Sequence, residues 1–120
     1  MAYDLSLADR VREYLYDKKV LELTEKPMFG GLAFMVGDKM CVNVSKDRLM
    51  CRFDPDQTEA LSERTGFLPM IMKGKELPGY CYVAPEGYKS RKDFVFWIEL
   101  CLAYNDQAKS SKRVGPSKKK

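Results

Sequence analysis

The chain contains no histidine, which removes the commonest general base and the commonest zinc ligand before any motif is sought. It also has no C-x-x-C pair and no G-x-G-x-x-G run, so neither a zinc ribbon nor a Rossmann-type dinucleotide site has a signature to rest on. No apolar run approaches the roughly 20 residues needed to cross a bilayer, and a membrane function is not expected. The start, Met1-Ala2-Tyr3-Asp4, lacks both the basic end and the apolar stretch of a secretory signal, so the expected compartment is the cytoplasm. At 120 residues, 45% hydrophobic and 32% charged, what remains is one globular domain with its own core.

Charge is unevenly placed. The formal net charge is +4, but Lys109, Lys112, Arg113, Lys118, Lys119 and Lys120 crowd the end; removing those six from 21 basic residues leaves 15 against 17 acidic ones. The expected organisation is therefore a slightly acidic domain over 1–108 and a disordered basic tail over 109–120. In the tail, Lys112, Arg113, Lys118, Lys119 and Lys120 are the candidate nucleic-acid contacts, of a weak and nonspecific kind.

Four cysteines, Cys41, Cys51, Cys81 and Cys101, each sit inside an apolar pattern and read as buried free thiols. A cysteine or carboxylate enzyme is the remote alternative, since a nucleophile here would need lysine or a carboxylate as its base. No catalytic, cofactor or metal residue is assigned. The charges of Lys46-Asp47-Arg48 and Lys73-Gly74-Lys75-Glu76, and Glu86 after them, fall at turns where solvated side chains belong. Aromatics are plentiful, mostly as core material, although Tyr80 and Tyr82 share a strand face and would form a contact surface if helices cover only the other face.

Periodicity gives the elements. Leu5, Ala8, Val11 and Leu15 predict an amphipathic helix from Asp4 to about Lys18, with Asp9 and Arg12 on its polar side. Val20–Met28 reads as a strand, and Pro27 in it favours an edge. Three alternating sets follow: Leu32, Phe34 and Val36; Met40, Val42 and Val44; Leu49, Cys51 and Phe53. Strict parity pairs Val36 with Met40 and Val44 with Leu49, and puts Cys41 and Cys51 on opposite sheet faces. Asp54-Pro55-Asp56 starts a short helix ending at Gly66, and strands Phe67–Met72 and Gly79–Ala84 flank a loop over 73–78. Ser90 to Asp93 resembles a capping box before a helix running to about Ala108. Helix, four strands, helix, two strands, helix makes an α+β, two-layer domain: an antiparallel sheet with helices on one face. The glycine pair Gly30-Gly31 leads into a strand rather than a helix, so it predicts a turn or close approach and not a phosphate cradle.

The segment Lys26-Pro27-Met28-Phe29-Gly30-Gly31-Leu32-Ala33-Phe34-Met35-Val36 resembles the TfoX/Sxy amino-terminal domain family, with its Met-Phe-Gly-Gly-x-x-x-Phe stretch. Ala8 to Arg12, Gly79 to Glu86 and Asp93 to Glu99 follow the same family's order, and the resemblance covers about Tyr3 to Ala108. Its structural motif residues here are Met28, Phe29, Gly30, Gly31, Phe34, Gly79, Tyr82, Pro85 and Trp97. The resemblance implies a bacterial α+β domain similar to secretion-chaperone folds, with no catalytic residues and no cofactor. It further implies a non-enzymatic interaction module in transcriptional, competence-like regulation, whose partner is another protein of the transcription machinery or a regulator of it. Founding members act with the cyclic-AMP receptor protein and add a carboxy-terminal helical domain; this chain reads as a stand-alone amino-terminal domain, monomeric or weakly dimeric.

Overall fold

The computed structural model describes residues 3–28 and 30–105. Helix α1 (Leu5–Asp17) begins where Asp4 accepts the backbone N–H groups of Ser6 and Leu7, at 2.8 and 3.2 Å, satisfying donors that have no intrahelical partner. Leu7, Ala8, Val11 and Leu15 are its buried face. Leu5, expected in that stripe, is 54% exposed, because at about 100° per residue it falls well off the centre of the face that Leu7, Ala8, Val11 and Leu15 share.

Six strands form one antiparallel sheet: β1 (Leu23–Met28), β2 (Gly31–Val36), β3 (Lys39–Ser45), β4 (Arg48–Arg52), β5 (Phe67–Met72) and β6 (Lys75–Val83), in spatial order β1-β2-β3-β4-β6-β5. Pro27 and Pro69 therefore both lie on edge strands, where a missing donor costs no interior ladder bond. Between β4 and β5, Asp54 caps a single 3₁₀ turn with Pro55 at its start, which leads into the short α2 (Thr58–Leu61). Helix α3 (Arg91–Asn105) closes the fold, with the Ser90 hydroxyl accepting from the Asp93 N–H at 3.1 Å. The expected extension to Ala108 and the basic tail lie outside the described residues. No helix among the described residues is long and apolar enough to cross a membrane.

The core lies between the helices and one sheet face. Phe94, Trp97, Ile98 and Cys101 of α3 pack with the α1 stripe onto Phe34, Val42, Val44, Leu49, Cys51, Phe53, Cys81 and Val83. The Trp97 indole N–H donates to the Gly87 carbonyl at 3.2 Å, so the largest core side chain is both buried and satisfied. Around the helix layer, Arg12 bridges Asp9 and Glu25 at 2.5 and 2.6 Å, tying α1 to β1. Glu99 receives the Tyr14 hydroxyl and the Lys18 ammonium, tying α1 to α3.

Three expectations need correction. Val36 pairs with Lys39 across the two-residue turn Gly37-Asp38, and Met35, not Val36, faces Met40. The shift is a bulge: Phe34 opposes Val42 and Met35 opposes Met40, leaving Cys41 as the extra residue of β3. Parity fails there, so Cys41 joins Val42 and Cys51 in the helix-side core instead of lying opposite Cys51. Finally, the expected loop over 73–78 is only a Lys73-Gly74 turn, both at positive φ, and β6 starts at Lys75 while β1 starts at Leu23. A two-residue turn with both centres left-handed suits the twist of a tight hairpin and lets the strands run to it.

Candidate interaction surface

Among the described residues, the cluster on the second sheet face contains none from a helix. That cluster consists of buried Ala33, Met35, Met40, Met50 and Met70, with Met28, Leu77, Tyr80 and Tyr82 half-buried against them. Pairing fixes one cross-strand row on this face: Lys26, Ala33, Asn43, Met50, Tyr82 and Leu68 follow one another from β1 to β5. Residues two positions along each strand share the face, which adds Ser45 and Arg48 on one side of the row and Arg52 and Tyr80 on the other. The Arg48 guanidinium lies 4.3 Å from the centre of the Tyr82 ring, and Arg52 lies 5.8 Å from that of Tyr80 and 5.7 Å from that of Tyr104. These are cation–π distances, and they hold flat, weakly hydrated cations against aromatic surface.

Tyr80 and Tyr82 thus stand together on the helix-free face, as their strand parity requires. Arg48, read from sequence as a solvated turn charge, is instead the first residue of β4 and part of the surface. The signal was present in the spacing Arg48, Met50, Arg52 opposite Tyr82 and Tyr80, but it becomes visible only once β4 is known to pair with β6. Asn43 was also missed. It is fully buried, and its amide N–H donates to the Met28 carbonyl at 3.0 Å while its Oδ1 has no hydrogen-bond partner.

Asn43 explains the glycine pair. Gly30 turns with φ +73°, and a Cβ on Gly31 would lie 2.1 Å from the Val44 carbonyl oxygen and 2.8 Å from Asn43 Oδ1. Close backbone approach, rather than anion binding, accounts for Gly31. Of the other motif residues, Met28 ends β1, Phe34 and Trp97 are core, Gly79 lies in β6 where its carbonyl accepts from the Phe53 N–H at 2.9 Å, and Pro85 starts a turn after β6. Phe29 lies outside the described residues, as do Lys112, Arg113, Lys118, Lys119 and Lys120.

The cysteines gather more than their spacing suggests. Cys51 and Cys81 are cross-strand neighbours, and all four thiols belong to the same helix-side core. Burial first, then these neighbours, push the Cys51 thiol well above its ordinary range, and burial beside Cys101 does the same to Cys41. Such thiols stay protonated and are poor nucleophiles. Among the described residues no group of three or more cysteines and carboxylates is arranged to hold a metal ion.

A second concavity runs along the outer side of α3. This open cleft of about 670 Å³ is lined by Val95, Phe96 and Leu100 with Arg64, Lys92, Asp93 and Glu99 at its rim. Arg64 lies 3.6 Å over the Phe96 ring and 3.6 Å from Asp93, so the rim is of mixed sign and partly closed by its own ion pair.

No curated protein and no solved structure gives a significant match to the chain. A family model does match: that of the TfoX N-terminal domain, over residues 15–104. The matched span runs from the last turn of α1 to the last turn of α3 and holds the whole sheet. With three-quarters of its length aligned to that model, the chain belongs to the TfoX N-terminal domain family.

Proposed function

We propose that the protein is a non-enzymatic interaction module that binds another protein through the helix-free sheet face, in transcriptional regulation of the competence-like kind. The observation that carries this reading is the juxtaposition of half-buried Tyr80, Tyr82, Arg48 and Arg52 along the paired strands β4 and β6, on a face that no helix among the described residues packs against. Tyrosine and arginine concentrate binding energy at protein interfaces, because each buries large area while keeping a polar edge. Methionines beneath them adapt to irregular partners. The non-enzymatic part is supported by the absence of histidine and by burial of the thiols.

The test is affinity capture from the native host with the whole chain and with a Tyr80→Thr/Tyr82→Thr variant, which places good strand formers at both positions. A protein captured by the parent and lost from an equally stable variant is the expected result. The same captured set from both chains would refute the assignment of this face.

A further inference from the structure

Side chains on an open sheet face stand side by side with their ends in water. The second face here is in a different state. Met35, Met40, Met50 and Met70 are no more than 6% exposed and Ala33 and Asn43 are 0% exposed, although no described helix contributes to their cluster. Their half-buried neighbours Met28, Leu77, Tyr80 and Tyr82 are strand residues of the same cluster, which stand beside the methionines rather than over them. Another part of the chain therefore lies on this face.

The place of the buried methionines selects that part. Thr24 pairs with Met35, Met35 with Met40, and Arg52 with Tyr80, which forms a row at the end of the sheet where the Gly37-Asp38 turn joins β2 to β3. Met70, two residues beyond Leu68 on β5, reaches the same end. Residues 1, 2 and 29 belong to the opposite end: Tyr3 bridges to Lys46 in the β3–β4 turn, and residue 29 lies between β1 and β2. They are four to six residues away along the strands, roughly 13–20 Å, beyond the reach of a side chain. The chain after Asn105 starts in the right place. Tyr104 lies 5.7 Å from the Arg52 guanidinium, which also lies 5.8 Å from the Tyr80 ring in that row, and Asn105 is itself buried, so α3 ends against the body.

We infer that the segment from residue 106 onward docks across this end of the second sheet face and closes it. From β5 to β2 is four strand spacings, roughly 19 Å, which about six extended residues span. The order of charges suits the rim. Asp106 follows α3 beside Arg52, and Lys109 and Lys112 come next, toward Asp38 in the β2–β3 turn; Arg52 and Asp38 are both engaged in the fold. The strip of Arg48, Tyr82 and Tyr80 is half-buried at the border of the segment, where a partner protein can still meet it.

The test compares the full chain with a chain ending at Asn105, which keeps α3 whole. Brief treatment with hydrogen peroxide, read by mass spectrometry, gives the oxidation rate of each methionine, with Met72, 44% exposed, as the reference for an open thioether. In the full chain Met35, Met40 and Met70 should oxidise about tenfold more slowly than Met72; in the shortened chain they should approach its rate, with a lower melting temperature. A synthetic peptide of residues 106–120, added in excess, should restore the protection. Where the shortened chain does not fold, hydrogen exchange of the full chain decides: amides of 107–112 slowed about tenfold against the free peptide support the docking. Exchange of all these amides at the free-peptide rate, or methionines that stay protected in a folded shortened chain, would overturn it.

Discussion

Replacing Gly31 by alanine tests the central claim about the glycine pair, because its neighbour provides an internal control. A methyl group at Gly31 would lie 2.1 Å from the Val44 carbonyl oxygen, 2.8 Å from Asn43 Oδ1 and 2.9 Å from the Val44 carbonyl carbon. Two of these atoms are backbone of the paired strand, so relief requires β2 to move off β3 by roughly 1 Å in an interior with no slack. Two or three ladder bonds weakened at about 1 kcal/mol each, with about 1–3 kcal/mol of overpacking, give a loss of about 3–6 kcal/mol. For a domain of this size that lowers the melting temperature by about 15–30 °C. Gly30 differs: nothing lies within 4 Å of its Cβ position, and only its φ of +73° opposes a side chain. Gly30→Ala should cost about 1–2 kcal/mol, and Gly30→Asn less, since asparagine tolerates the left-handed region. Thermal and urea unfolding followed by far-UV circular dichroism reads all three. Equal losses at Gly30 and Gly31 would show that the approach of β2 to β3 is not what requires glycine.

Four further outcomes are expected. Cys51→Ser should cost about 1–3 kcal/mol, the price of a poorly satisfied buried hydroxyl, and Cys51 in the native chain should react slowly with a thiol reagent; fast labelling near neutral pH would contradict its burial. Glu25, held below its ordinary range first by the Arg12 hydrogen bond, and Glu99, held low first by Lys18, contribute stability that is complete above the unfolded value of 4.5 and is lost as pH falls through their lower folded values. Stability measured from pH 6 to pH 3 should therefore fall, and Arg12→Ala should flatten the curve; an unchanged slope would mean the pair is too solvated to matter. Tyr14, pushed up to about 12 by burial and then by Glu99, should be missing from the ultraviolet titration until other tyrosines have ionised, and Tyr14→Phe should remove that late step. If the six cations of 109–120 confer nucleic-acid affinity, its log–log salt slope should be shallower than roughly −5 and truncation after residue 108 should abolish it; sequence-selective binding that survives truncation would point to the sheet face instead.

Much of the architecture was legible in the chain because it rests on local chemistry. Asp4, Asp54 and Ser90 cap their turns wherever the rest of the molecule lies, and alternation such as Leu32, Phe34 and Val36 reports a half-buried strand whatever its neighbours. The Gly30-Gly31 pair before such a strand already announced backbone geometry. What alternation does not report is a break in itself: the bulge at Cys41 adds one residue to β3, and nothing in Met40-Cys41-Val42 distinguishes it from regular strand, since all three are apolar. The gathering of Cys41, Cys51 and Cys81 around Cys101 depends on that bulge, on the β4–β6 pairing and on the seating of α3. The candidate surface depends on the same non-local facts. Lys26 and Arg48, or Arg48 and Tyr82, are 22 and 34 positions apart, and only the order β1-β2-β3-β4-β6-β5 sets them on one face. The sequence by itself determined which residues alternate and where turns start. Which strands became neighbours, and hence which side chains share the second sheet face, was decided by tertiary packing, because hydrophobic burial acts between segments far apart in the chain.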